Sequence, residues 1–187
     1  MVAELLRNVR RTPERLMHRM RQRSAHAAVR GRGPARTVLV LCHGNICRSP
    51  FAARLLERTL APAGIRVLQA GFIGAGRPAP AEAVVAARGR ALDLSEHRSR
   101  PLTSDLVRGA DLVVVMDAAQ RDAVCDVYGA RPSQVVLLGD FDPEPIDARA
   151  IYDPVDQAVE VFDAVYTRIE RCVHELAKTL AGKARDG

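Results

Sequence analysis

The chain has 187 residues, 48% of them hydrophobic and 27% charged, which suits one globular domain with a real core. No apolar run approaches the ~20 residues of a membrane helix, and the basic N-terminus lacks the apolar segment of a signal peptide. The formal charge of +6 is uneven: residues 1–36 hold ten arginines and two glutamates, a net +8, and residues 37–187 sum to −2. The basic balance therefore belongs to the N-terminal segment and gives no ground for a nucleic-acid interface in the remainder.

Residues 1–36 divide at Thr12-Pro13. Val2, Leu5, Leu6, Val9, Leu16, Met17 and Met20 recur every three or four positions, an amphipathic helical pattern with arginines on the rest of the wheel. Pro13 either kinks this helix or starts a second one with Thr12 as cap. Gly31-Arg32-Gly33-Pro34 reads as a linker. Two readings stand: a basic helix that touches an acidic membrane surface or an acidic partner, and an extension that is partly helical or disordered.

Thr37–Leu41 is apolar throughout, as a buried parallel strand requires. A helix follows, with Ser49 able to cap it, Pro50 in its first turn, and Phe51, Leu55, Leu56 and Leu60 on its inner face. Arg66–Ala70 predicts a second strand, residues 71–80 a turn-rich loop and Ala81–Ala91 a helix. Residues 92–102 look irregular. Asp111–Met116 predicts a strand, Ala118–Tyr128 a helix and Gln134–Leu138 a fourth strand. An acidic, proline-containing loop spans residues 139–154. Val159, Phe162, Val165, Ile169, Val173, Leu176 and Leu180 then mark the inner face of a last helix. Strands alternating with helices predict an α/β fold: a three-layer αβα sandwich on a four-stranded parallel sheet with right-handed crossovers. Residues 37–187 form one domain, with 1–36 as an extension.

The chemistry gathers where the first strand ends, at Cys42-His43-Gly44-Asn45-Ile46-Cys47-Arg48-Ser49-Pro50. A strand, a tight loop and a helix start make a place to hold a phosphate, because N–H groups at a helix N-terminus are unpaired and carry partial positive charge. Arg48 adds a planar fork of donors that fits two phosphate oxygens. Cys42 faces the same donors, which favour its thiolate, and a thiolate under a bound phosphate is a nucleophile aimed at phosphorus. Gly44 admits close backbone approach, and Asn45 tolerates a left-handed backbone.

Cys42-x5-Arg48-Ser49 after a strand, with Gly44-Asn45, Cys47 and Ser49-Pro50, resembles the low-molecular-weight protein tyrosine phosphatase family over about residues 37–180. The resemblance implies hydrolysis of phosphotyrosine through a phosphocysteine intermediate, with no cofactor and no metal. Cys42, Arg48 and Asp153 would be catalytic; His43, Gly44, Asn45, Ile46, Cys47 and Ser49 would bind substrate. Ser49 would hold the Cys42 thiolate through its hydroxyl. Cys47 would form a protective disulfide with Cys42, or else serve packing alone. Two Asp-Pro pairs compete for the general acid, Asp142-Pro143 and Asp153-Pro154; Asp153 lies directly before the last helix, where the family places its acid. Bacterial members often act on tyrosine kinases, so a phosphotyrosine protein of that kind is the implied partner, and a reducing cytoplasm suits a working thiol.

The chain departs from the family pattern at the pocket walls. Val155 stands where an aromatic residue usually follows the Asp-Pro pair, and the loop after the second strand holds only Phe72. Tyr152 partly compensates. Members that resemble arginine phosphatases carry threonine at the position of Ile46, so isoleucine sides with the tyrosine-directed members. An arsenate reductase of the same fold needs two further cysteines close together, whereas Cys125 and Cys172 lie on separate predicted helices. An inactive phosphate-binding module is the remaining alternative.

Overall fold

Runs of β-branched and leucine residues with no polar break make β1 (Thr37–Cys42) and β3 (Leu112–Val115) central strands, buried at every position. β2 (Arg66–Gly71) and β4 (Val135–Leu137) flank them in the order β2-β1-β3-β4, all parallel. The structure is a computed structural model that describes residues 17–184. Val2, Leu5, Leu6, Val9, Leu16 and the Thr12-Pro13 pair lie outside the described residues.

Alternate strand residues face opposite ways, so the sheet separates two cores. Val38, Val40, Cys42 and Val114 pack on one side beneath α2 (Arg48–Leu60), α3 (Ala81–Arg88) and α6 (Val159–Ala184). Leu39, Leu41, Val113 and Val115 pack on the other beneath α4 (Ser104–Arg108) and α5 (Ala118–Asp126). Phe51, Leu55, Leu56 and Leu60 are buried on α2, and Phe162, Ile169, Val173 and Leu176 on α6. Among the described residues no helix is long and apolar enough to cross a membrane.

Several boundaries move inward from the expected ones. α3 ends at Arg88, before Gly89 and the left-handed Ala91 (φ +54°). The fourth strand keeps only Val135–Leu137, because 3-10 turns at Pro132–Gln134 and Leu138–Phe141 take its ends. α4 was not foreseen; Thr103 caps it by accepting from the Leu106 N–H at 3.3 Å.

Residues 17–30 form a helix, α1, that packs on the body of the fold. Its buried face is not the expected one. Met17 and Met20 are exposed, and His18, Ala25 and Val29 are buried. His18 Nε2 lies 2.8 Å from the Asp142 carbonyl, Gln22 Nε2 donates to the same oxygen at 3.0 Å, and His26 Nδ1 lies 2.7 Å from Thr179 Oγ1. Positions 18, 22 and 26 are one turn apart each, so these polar groups form a single stripe along the docked face.

Candidate active site

β1 ends at Cys42, and the chain turns through residues 43–47 into α2. The turn is held from beneath by one side chain. Asn45 is left-handed (φ +51°), and its Nδ2 donates to Ser49 Oγ at 2.8 Å and to Gln69 Oε1 at 3.0 Å. Its Oδ1 accepts from the Arg100 N–H at 2.8 Å, and its carbonyl lies 2.6 Å from His97 Nε2. The His43 carbonyl accepts from the N–H groups of Phe72 and Ile73. Gly71 passes so close below that a Cβ there would lie 2.7 Å from the Asn45 nitrogen. Only glycine fits. With the loop fixed this way, the N–H groups of Gly44, Asn45, Ile46 and Cys47 donate to no acceptor among the described residues. A cluster of oriented donors is an anion-binding concavity.

Cys42 is buried, with Sγ 3.0 Å from Ser49 Oγ. Ser49 Oγ also accepts from Asn45 Nδ2 at 2.8 Å, so Asn45 fixes the hydroxyl that meets the sulfur. This replaces the expected capping role: Cys47 occupies the N-cap position, and Ser49 is the second residue inside α2. Cys47 is also buried and free of any disulfide. Burial first, then the neighbouring Cys42 and Asp153, push the Cys47 thiol well above its ordinary range. Tyr166 stacks on Phe51 at 3.9 Å and donates to the Cys47 carbonyl at 3.2 Å, fixing the loop from the α6 side. His43 is exposed beside the loop; Ile46 is buried under it.

Arg48 starts α2 and is 4% exposed. Its Nη1 donates to the Ile151 carbonyl at 3.0 Å and its Nη2 pairs with the Asp153 carboxylate. Its Nε is buried with no acceptor in the described residues. An arginine so buried needs anionic partners on most of its donors, and a phosphate would supply them. Asp153 is 39% exposed and faces the same cleft.

Asp142, the other candidate acid, is fully buried. Arg168 Nε donates to it at 2.9 Å and Arg171 Nε at 2.6 Å. It is a structural anchor turned away from the cleft. The cleft, about 640 Å³, is lined by His43, Arg48, Phe72, Asp117, Tyr152 and Asp153 among others. Phe72 and Tyr152 thus supply aromatic wall, and Tyr128 braces Phe72 edge-on at 6.0 Å. Val155 does not line it.

Sequence reasoning did not find Gln69, His97, Asp117, Gln120 or Tyr166. Asp117 had a signal, since an aspartate between a strand and a helix is a cap; it accepts from the Gln120 N–H at 2.8 Å. The others enter only through contacts between distant parts of the chain.

Comparison with known proteins matches residues 37–186 to the family model for low molecular weight phosphotyrosine protein phosphatase. The chain is 41% identical over 140 residues to a probable low molecular weight protein-tyrosine-phosphatase, EpsP, of Ralstonia nicotianae, covering 74% of this chain and 91% of that one. Among solved structures, the tyrosine phosphatase Wzb from Escherichia coli K30 in complex with sulphate superposes with a TM-score of 0.70 at 31% identity, over 78% of this chain and 99% of that one. An arginine phosphatase, YwlE, from Geobacillus stearothermophilus superposes with a TM-score of 0.72 at 28% identity, over 80% and 96%.

Proposed function

The chain belongs to the low molecular weight phosphotyrosine protein phosphatase family, and from that premise we propose how its own residues carry out phosphotyrosine hydrolysis. It is a cysteine-dependent phosphatase that works through a phosphocysteine. Cys42 Sγ attacks phosphorus, and the phenol oxygen leaves as the P–O bond breaks. Asp153 gives that oxygen its proton, then takes one from the water that attacks the phosphocysteine. Arg48 and the loop N–H groups bind the equatorial oxygens as charge develops. Ser49 holds the thiolate while Cys42 is free and when it departs.

One observation carries this reading: Arg48 and Asp153, far apart in sequence, meet on the wall of one cleft beside the strand end that bears Cys42. A bound phosphate would compete with Asp153 and the Ile151 carbonyl for the Arg48 fork and release the carboxyl for proton transfer. The experiment is turnover of phosphotyrosine, phosphoserine and phosphoarginine peptides side by side, with Cys42→Ser beside the wild type. Phosphotyrosine should be preferred, and Cys42→Ser should abolish turnover while keeping phosphate binding. Preference for phosphoarginine would overturn the substrate assignment that Ile46 supports.

The substrate partner we infer is a phosphotyrosine protein such as a bacterial tyrosine kinase, and the compartment a reducing cytoplasm. The family match begins at residue 37, which supports treating 1–36 as an extension to a phosphatase domain over 37–187. The outward side of α1, with Arg19, Arg23, Arg30, Met17 and Met20 exposed, suits an acidic membrane surface or partner.

A further inference from the structure

We propose that Arg77, Arg98 and Arg100 form a cationic strip beside the phosphate loop that selects phosphotyrosine sites flanked by an anionic side chain, either a carboxylate or a second phosphate. The proposal rests on the assignment of residues 42–49 as the phosphate-binding loop.

Local geometry fixes the strip. Gly74 and Gly76 are left-handed (φ +68° and +70°) and bend the loop after β2 back on itself. Arg77 then lies along the segment 98–100. Its N–H donates to Ser99 Oγ at 3.0 Å, the Ser99 N–H donates to the Arg77 carbonyl at 2.8 Å, and Pro78 forms an antiparallel bridge with Arg98. Ser99 is buried, so in this extended stretch its neighbours Arg98 and Arg100 turn outward, and both are exposed. The strip touches the loop at two points. The Arg100 N–H donates to Asn45 Oδ1. The Arg77 side chain crosses Gly74 and brings Nη1 within 3.2 Å of where a Cβ on Gly44 would stand.

The three guanidinium groups have no counter-ion among the described residues. Arg98 Nη1 reaches only the carbonyls of Ser95 and His97. Arg77 and Arg100 make no side-chain hydrogen bond or ion pair there. Arg48, inside the site, pairs with Asp153, and farther away Arg90 pairs with Asp163 and Glu170, Arg168 with Asp142, and Arg171 with Asp142 and Glu144. Three uncompensated arginines on a backbone pinned to the loop are placed to meet the residues that flank a bound phosphotyrosine. Guanidinium forks accept carboxylate and phosphate alike.

The test uses the full chain and three phosphotyrosine peptides of equal length, flanked by alanine, by glutamate or by phosphoserine, with a small aryl phosphate as reference. Wild type should favour one or both anionic peptides over the alanine peptide by about tenfold in kcat/KM, mainly through KM and decreasingly as salt rises. Which of the two peptides gains identifies the source of the charge. Arg77→Met, and Arg98→Met with Arg100→Met, should erase that preference and leave aryl phosphate turnover unchanged. Equal kcat/KM on all three peptides in the wild type would overturn the proposal. So would a loss on aryl phosphate as large as on the anionic peptides, since Arg77 would then act on the phosphate itself. No turnover of aryl phosphate by the wild type would sink the phosphatase assignment, a result separable from either.

Discussion

Asp142 and Asp153 share a following proline, and their surroundings give them opposite mutational signatures. Asp153→Asn should cost little with an aryl phosphate that has a good leaving group. With phosphotyrosine, whose phenol has a pKa near ~10, it should cost on the order of 100-fold in kcat. Equal losses on both substrates would make Asp153 structural. Asp142→Asn should instead lower stability by about 3 kcal/mol, because it leaves half-buried Arg168 and Arg171 facing a fully buried, uncharged amide. Urea denaturation measures that loss, and the surviving folded enzyme should keep its leaving-group dependence. Histidine sets the pH response. Burial, and then Arg30, hold His26 below its ordinary 6.5, and burial does the same for His97. Each is favoured neutral in the fold, so the unfolded chain binds more protons just below 6.5. Their stabilisation is present in full above that pH and is lost as pH falls through their lowered native values. Melting temperature should therefore drop on acidification below about 6.5, and His26→Asn should flatten the slope; an unchanged slope would contradict it.

At the scale of elements, α2 and α6 could be read from the chain because their faces bury apolar residues at helical spacing. So could β1, whose unbroken apolar run needs two covered faces, and the Cys42–Ser49 loop that follows it. α1 could not be read the same way. Met17 and Met20 fit the apolar period, yet the docked face is the stripe His18, Gln22 and His26 flanked by Ala25 and Val29. Periodicity counts hydrophobic residues and is blind to polar groups whose acceptors are more than a hundred positions away. Ser49 is a local case: its place at a helix start suits a cap, whereas its hydroxyl meets Cys42, as the family resemblance implies, and also Asn45. The docked face is testable. Val29→Asp buries a charge and should detach α1, seen as rapid proteolysis near residue 30 with phosphatase activity retained. Met20→Asp, on the exposed side, should do neither.

For the molecule as a whole, the sheet is a partition. Cys172 is buried on the inner face of α6, and Cys125 sits on α5 against the opposite core. No thiol relay can run between them across four closed strands. Arsenate should therefore act as a phosphate mimic and be released unreduced; arsenite formed in the presence of a thiol reductant would contradict this. The two-sided arrangement also explains why Cys42 is available at all. As the last residue of β1 it faces the α2 side where the chain turns into that helix, so its sulfur meets the loop and the Ser49 hydroxyl in the first turn of α2.

The contact of α1 with the Asp142 carbonyl spans 124 positions, and that separation sets an order of assembly. Asp142 becomes a docking point only once α6 has supplied Arg168 and Arg171 to hold it. Loop closure over such a distance gains nothing until both ends exist. α1 is thus the last piece to join during folding and the first to leave. In native-state hydrogen exchange its amides should open at a lower free energy than those of β1 and α6, as a separate cooperative unit.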